Sequence, residues 1–204
     1  MQQNTRRMRV TGATLWRGAL AIAGLALGIA FSGCRPEQSG GGVGGPSGGV
    51  AEEPSGSVLG RPAPDFTFPD VAGGTVTLSE LRGNPVLLDF GASWCEPCAV
   101  AAPHLQALHE KYEGDGLQVI GISLDGSPNQ ARAFVKQHGT TFPTLWADPN
   151  SEAVQELAKA INLGPIPRTL LIDSKGVLRA DLEGFYPLRE MERELIRIGI
   201  TARP

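Results

Sequence analysis

The chain has 204 residues, 41% hydrophobic and 19% charged, a balance that suits one globular domain with something appended. It carries 18 Lys and Arg against 21 Asp and Glu, and the four basic residues ahead of Cys34 (Arg6, Arg7, Arg9, Arg17) have no acidic residue among them, so the remainder is more acidic still. A net-acidic domain without Lys/Arg clusters is a poor nucleic-acid binder, and that class of partner is set aside.

The first 34 residues read as a targeting segment. "MQQNTRRMRVTGATLWR" is a cationic start, "GALAIAGLALGIAF" is apolar, and charge is absent from Gly18 to Cys34. A short apolar core ending in small residues is the pattern of a secretory signal. Ser32-Gly33-Cys34 resembles a bacterial lipobox, in which the cysteine is lipidated and becomes the mature N-terminus, with Phe31 standing where such boxes usually have Leu, Val or Ile. An uncleaved membrane helix is the other reading, and either one places the domain outside the cytoplasm and tied to a membrane. Arg6-Arg7 leaves a twin-arginine export route open beside the general one. Residues 35–57 hold 15 Gly, Ser or Pro in 23 positions. Such a stretch cannot bury enough apolar area to offset its ordering entropy, so it reads as a flexible tether of roughly 25 Å r.m.s. span.

From Val58 the texture changes. "DFTF" and "TVTL" flank Gly73-Gly74, a hairpin signal. "PVLLDF" (85–90) is a short apolar run of the kind found in buried strands. "EPCAVAAPHLQALHEKY" then places Ala101, Leu105, Leu108 and Tyr112 on one helical stripe. "LQVIGISL" (117–124) is a second buried strand, and "NQARAFVKQHG" a helix with Ala131, Phe134, Val135 and His138 on one face, ended by Gly139. "FPTLWAD" is a short strand, and "SEAVQELAKAI" a helix that Ser151 is placed to cap. "TLLID" and "VLRADLEG" flank Ser174-Lys175-Gly176 as a tight hairpin, and "LREMERELIRI" closes the domain with Leu188, Met191, Leu195 and Ile198 aligned. Strands alternating with helices, then a hairpin and a last helix, predict a three-layer α/β domain over 58–204 with a mixed sheet.

Two of the three cysteines fall in "GASWCEPCAV" (91–100). Cys95 follows the strand "PVLLDF" and opens the next helix, whose free N–H groups and positive dipole end lower a thiol pKa. Pro97 suits a first helical turn, where its missing N–H matters little. Three readings compete. A zinc or iron site wants about four ligands, and there is no second CxxC, while His104 and His109 lack a fitting spacing. An inert staple across two residues restrains little of the unfolded chain. A redox dithiol accounts for the remaining features. Trp146, His104, His109 and His138 are read as packing or surface residues.

"LLDFGASWCEPC" strongly resembles the strand and active site of the thioredoxin superfamily, and the likeness extends over about 58–200. The stretch at about 140–161 holds a strand and helix beyond thioredoxin proper. With the N-terminal hairpin and membrane anchor, this resembles the TlpA/ResA-like branch of extracytoplasmic thiol-disulfide oxidoreductases. The resemblance implies a thioredoxin-like sandwich with that added segment, a redox-active Cys95–Cys98 pair, and no cofactor or metal. It makes Cys95 the attacking thiol, Cys98 the resolving thiol and Asp89 a buried carboxylate that moves protons for Cys98. Trp94, Ile166 and a cis Pro167 would meet the substrate, and Pro103 would kink the active-site helix. Partners would be proteins bearing a disulfide or dithiol, and a membrane thiol that donates electrons. Ala101 stands where relatives serving cytochrome c maturation often carry Glu, so that narrow role is not implied. Arg168 follows the cis-proline position, where Thr is frequent; its cation either sits near Cys95 and lowers the thiol pKa further, or faces solvent. A thiol peroxidase of the peroxiredoxin kind is the alternative enzyme, although "FGASWCEPC" lacks the Thr-rich turn expected there; a redox-inactive lipoprotein binding module is the alternative outside enzymes.

Overall fold

The computed structural model describes residues 57–201. The leader, Cys34, the tether up to its last residue and the last three residues lie outside them. The sheet has five strands in the order β5-β4-β3-β6-β7. These are β3 (Val86–Gly91), β4 (Gln118–Ser123), β5 (Thr144–Trp146), β6 (Arg168–Ile172) and β7 (Leu178–Glu183). β3 runs parallel to β4 and β4 to β5, whereas β6 lies antiparallel to both β3 and β7. The parallel pairs are joined by helices, as parallel pairing requires: α1 (Glu96–Tyr112) between β3 and β4, and α2 (Pro128–His138) between β4 and β5. α3 (Glu152–Ala160) leads back toward β6, and α4 (Leu188–Arg197) ends the domain. The mixed three-layer α/β arrangement is the one expected, with the added β5 and α3 in the stretch 140–161.

Side chains alternate across the central strands, so each strand feeds two cores. Leu87, Val119 and Leu171 join Leu105, Leu108 and Leu195 beneath α1 and α4. Leu88, Phe90, Ile120, Ile122, Leu170 and Ile172 join Val154, Leu157 and Ile161 on the opposite face, under α3. Asp89 has the parity of Leu87 and therefore belongs to the α1 face. Leu87 and Leu108 are wholly buried, and truncating such a leucine to Ala costs about 2–5 kcal/mol.

The expected hairpin around Gly73-Gly74 forms β1 (Thr67–Pro69) and β2 (Thr75–Thr77), with both glycines at positive φ. It protects an edge of the main sheet: Val71 N–H donates to the Thr144 carbonyl at 2.9 Å, and Asp70 bridges Leu145. At the other edge, Gly60 N–H donates to Leu178 O and Leu178 N–H to Arg61 O. Exposed edges invite mispairing with other chains, and both are partly covered here. Ser151 caps α3 as expected, its hydroxyl accepting from Val154 N–H at 3.3 Å. Among the described residues no helix is long and apolar enough to cross a membrane.

Candidate active site

β3 ends at Gly91, and the loop Ala92-Ser93-Trp94 delivers the chain to α1. Cys95 is the N-cap of that helix, with an extended backbone (φ −94°, ψ 101°). Its sulfur accepts the Cys98 N–H at 3.3 Å, occupying one of the donors that a helix start leaves free. Pro97 lies in the first turn and Pro103 within the helix. Cys95 and Cys98 are joined in a disulfide, their Cα atoms 5.2 Å apart.

Both sulfur-bearing residues are buried in this oxidised state, Cys95 at 6% exposure and Cys98 at 4%, so burial does not separate them. Their surroundings do. Cys95 lines an outer groove of about 290 Å³ together with Trp94, Glu96, Gln130 and His138. Cys98 lines an inner cavity of about 40 Å³, mostly apolar with Leu105, Ile122 and Phe142 in its walls but edged by Asp89, Ser123, Asp125 and Thr144, and large enough for a water molecule. Trp94 projects from the loop at 68% exposure. Gly91 brings backbone against the resolving side of the pair: a Cβ there would meet Cys98 Sγ at 3.5 Å and Asp89 Oδ2 at 3.8 Å. The Asp89 carboxyl and the Cys98 sulfur thus flank the same spot.

Asp89 is buried, and loss of solvent pushes its pKa up to about 7, an effect that a hydrogen bond from Thr169 only partly offsets. Thr169 is its cross-strand partner on β6, and the hydroxyl donates to Asp89 Oδ1 at 2.8 Å. The Ile166–Pro167 peptide is cis, matching the expectation for that proline. Ile166 packs against Ala92, Cys95 and Cys98. Cys95, Cys98, Asp89, Trp94, Ile166 and Pro167 therefore come together at one end of the sheet.

Arg168 does not join them: its cation neither approaches Cys95 nor faces solvent, the residue being 5% exposed. On β6 it has the opposite parity to Thr169 and points to the α3 face. Its guanidinium is bound by the Asp181 carboxylate, 2.7 Å from Nε to Oδ1, and by the carbonyls of Asn162 and Ile161. Two side chains read as packing or surface residues have polar roles. Trp146 Nε1 donates to the Asp125 carbonyl at 2.8 Å, and His104 Nδ1 accepts the Leu188 N–H at 3.1 Å where α4 begins. Thr169 and Asp125 were missed altogether. Asp125 ends the buried run "LQVIGISLD", and an acidic residue closing a buried strand was the available signal. Among the described residues no group of three or more His, Cys, Asp or Glu side chains is placed to hold a metal ion.

Residues 59–181 match the model of the AhpC/TSA family. A ResA thiol-disulfide oxidoreductase from Geobacillus kaustophilus is 30% identical over 137 residues, covering 67% of this chain and 76% of that protein. One from Oceanobacillus iheyensis is 34% identical over 138 residues, covering 66% and 69%. Among solved structures, a Chlorobium tepidum protein described as a thiol:disulfide interchange protein DsbE superposes with a TM-score of 0.63 at 30% identity, over 70% of this chain and 98% of that one. StoA from Bacillus subtilis, at 21% identity and a TM-score of 0.54, shares the fold.

Proposed function

Because the chain belongs to the AhpC/TSA family and is a thiol-disulfide oxidoreductase, we propose that it reduces protein disulfides outside the cytoplasm while tethered to a membrane. One observation carries the reading: the two sulfurs of a single bond face different surroundings, Cys95 the outer groove and Cys98 the inner cavity beside Asp89.

The reduced Cys95 thiolate, held at the start of α1, attacks one sulfur of a substrate disulfide. A Cys95–substrate bond forms, the substrate bond breaks, and the second substrate sulfur leaves as a thiolate that takes a proton from solvent. Cys98 then passes its proton to the Asp89 carboxylate. Its thiolate attacks Cys95 Sγ and releases the first substrate sulfur. The substrate has gained two electrons, and the Cys95–Cys98 pair returns to the oxidised state of this structure. A carboxyl with its pKa near 7 can take and return that proton at neutral pH. Trp94, Ile166 and Pro167 hold the incoming chain, and a membrane thiol donor restores the dithiol.

The location rests on the sequence. The cationic start, the charge-free stretch to Cys34 and the Gly/Ser/Pro-rich residues 35–57 suit export, lipid anchoring at Cys34 and a tether. The reductive direction follows from the resemblance to the TlpA/ResA-like branch. Cys98→Ser tests the mechanism: it should accumulate partners disulfide-bonded to Cys95, and an absence of trapped adducts overturns the reading. Peroxide consumption that survives Cys98→Ala would instead favour a peroxidase.

A further inference from the structure

Asp125 lies two residues beyond the end of β4 and is 1% exposed. Burying a carboxylate away from water is costly unless donors replace the solvent. Three groups do so. Ser93 N–H donates to Oδ1 at 3.0 Å, Ser93 O–H to Oδ1 at 2.7 Å, and Ser123 O–H to Oδ2 at 2.8 Å. The backbone of Asp125 is fixed as well: its N–H donates to Ser123 Oγ at 3.3 Å, and its carbonyl accepts from Trp146. The side chain is thus held on a rigid strand end and braced from β5.

Two of the three donors to the carboxylate come from Ser93, which lies in the β3–α1 loop two residues ahead of Cys95. Just ahead of the loop, the last residue of β3 is tied to the same segment, with Leu124 N–H donating to Gly91 O at 2.9 Å. Cys95 itself hangs from this loop, its N–H donating to Ala92 O at 3.1 Å. As an N-cap, Cys95 takes its position from the chain that precedes it, since the helix begins only at Glu96. The interaction of its sulfur with the Cys98 N–H depends on where the loop delivers that residue.

We propose that Asp125 is a positioning residue for Cys95, anchoring Ser93 to the end of β4 so that the sulfur stays on the open end of α1. The assignment rests on the reading of Cys95 as the attacking thiol. The side-chain hydrogen bonds of Asp125 go to Ser93 and Ser123, so it acts on Cys95 through the loop. Asparagine can replace it: Oδ1 accepts from Ser93, and Nδ2 donates to Ser123 Oγ in its turn. Alanine cannot.

The test is the pH profile of Cys95 alkylation by iodoacetamide in the reduced full-length protein, followed by peptide mass spectrometry. Asp125→Ala should lower the rate at pH 7 about threefold or more and move the profile's midpoint upward, as a weakened thiolate requires. Asp125→Asn should stay within about twofold of the parent, and Ser93→Ala, which keeps its N–H bond, should fall roughly twofold. A folded Asp125→Ala with the parent's profile overturns the proposal, as does an asparagine variant as impaired as the alanine one. If Asp125→Ala does not fold, Ser93→Ala carries the test, and an unchanged profile in it overturns the proposal equally. Insulin reduction by the parent checks the underlying reading separately. A parent with no reductase activity sinks that reading and leaves the alkylation comparison standing.

Discussion

The Thr169 hydroxyl and the Asp89 carboxyl face each other across β6 and β3 at 2.8 Å, both buried on the α1 side of the sheet. One neutral donor cannot replace the solvent that a carboxylate loses, so the carboxyl keeps its proton up to about pH 7 rather than the ordinary 3.8. The folded state then binds a proton that the unfolded state releases. The associated stability is complete below the unfolded value and is lost as pH rises toward the folded one, amounting to about 4 kcal/mol for a shift of this size. Asp89→Asn is spared that loss. Its stability relative to the parent should climb from about pH 4 to about pH 7 and then level off. Urea unfolding of the oxidised proteins across this range checks it; a pH-independent difference rules it out.

The same substitution should harm turnover. Without a base behind Cys98, resolution of the mixed disulfide slows by roughly 100-fold. Stopped-flow reduction of a model disulfide should show Cys95 attack unchanged and resolution slowed. A turnover rate equal to the parent's removes Asp89 from the proton path.

Arg168→Ala should destabilise the fold without altering the active-site thiol. It strands a half-buried Asp181 and two backbone carbonyls on the α3 face, and leaving such groups without their donor costs about 1–3 kcal/mol. Chemical denaturation reads the first effect and Cys95 titration the second. A shifted Cys95 titration would restore the electrostatic role that the geometry denies.

Trp94→Ala should separate binding from chemistry. At 68% exposure the indole contributes little to the fold, so stability should change by about 0.5 kcal/mol or less. Alkylation of Cys95 by a small reagent should be unchanged, while KM for a protein disulfide rises about tenfold, as the loss of an aromatic contact predicts. Equal effects on the small reagent and the protein substrate would make Trp94 structural.

Cys34→Ala should release the protein from the membrane fraction. Retention in that fraction would instead mean an uncleaved apolar helix, with the cysteine carrying no anchor.

The frame was legible because it is written in local terms. Buried strands show as apolar runs, helices as stripes, and the cysteine pair sits where a strand gives way to a helix. Arg168 was misplaced because β6 is buried on both faces. Its apolar pattern does not reveal which side each residue takes, and nearness in sequence to Pro167 stood in for nearness in space. Thr169 and Asp125 matter through partners 80 and 32 residues away. No periodicity marks such pairs, which arise only once the sheet has set its register.

That register has a consequence for quality control. If β6 slipped by one residue against β3, the pleat would turn Arg168 into the helix-side core and carry Thr169 away from Asp89. A guanidinium would then be stranded among Leu87, Leu105 and Leu108 on the α1 side. A molecule with a miswired proton relay would therefore be a poorly folded one as well, and proteolysis of loosened chains would remove it before it met a substrate.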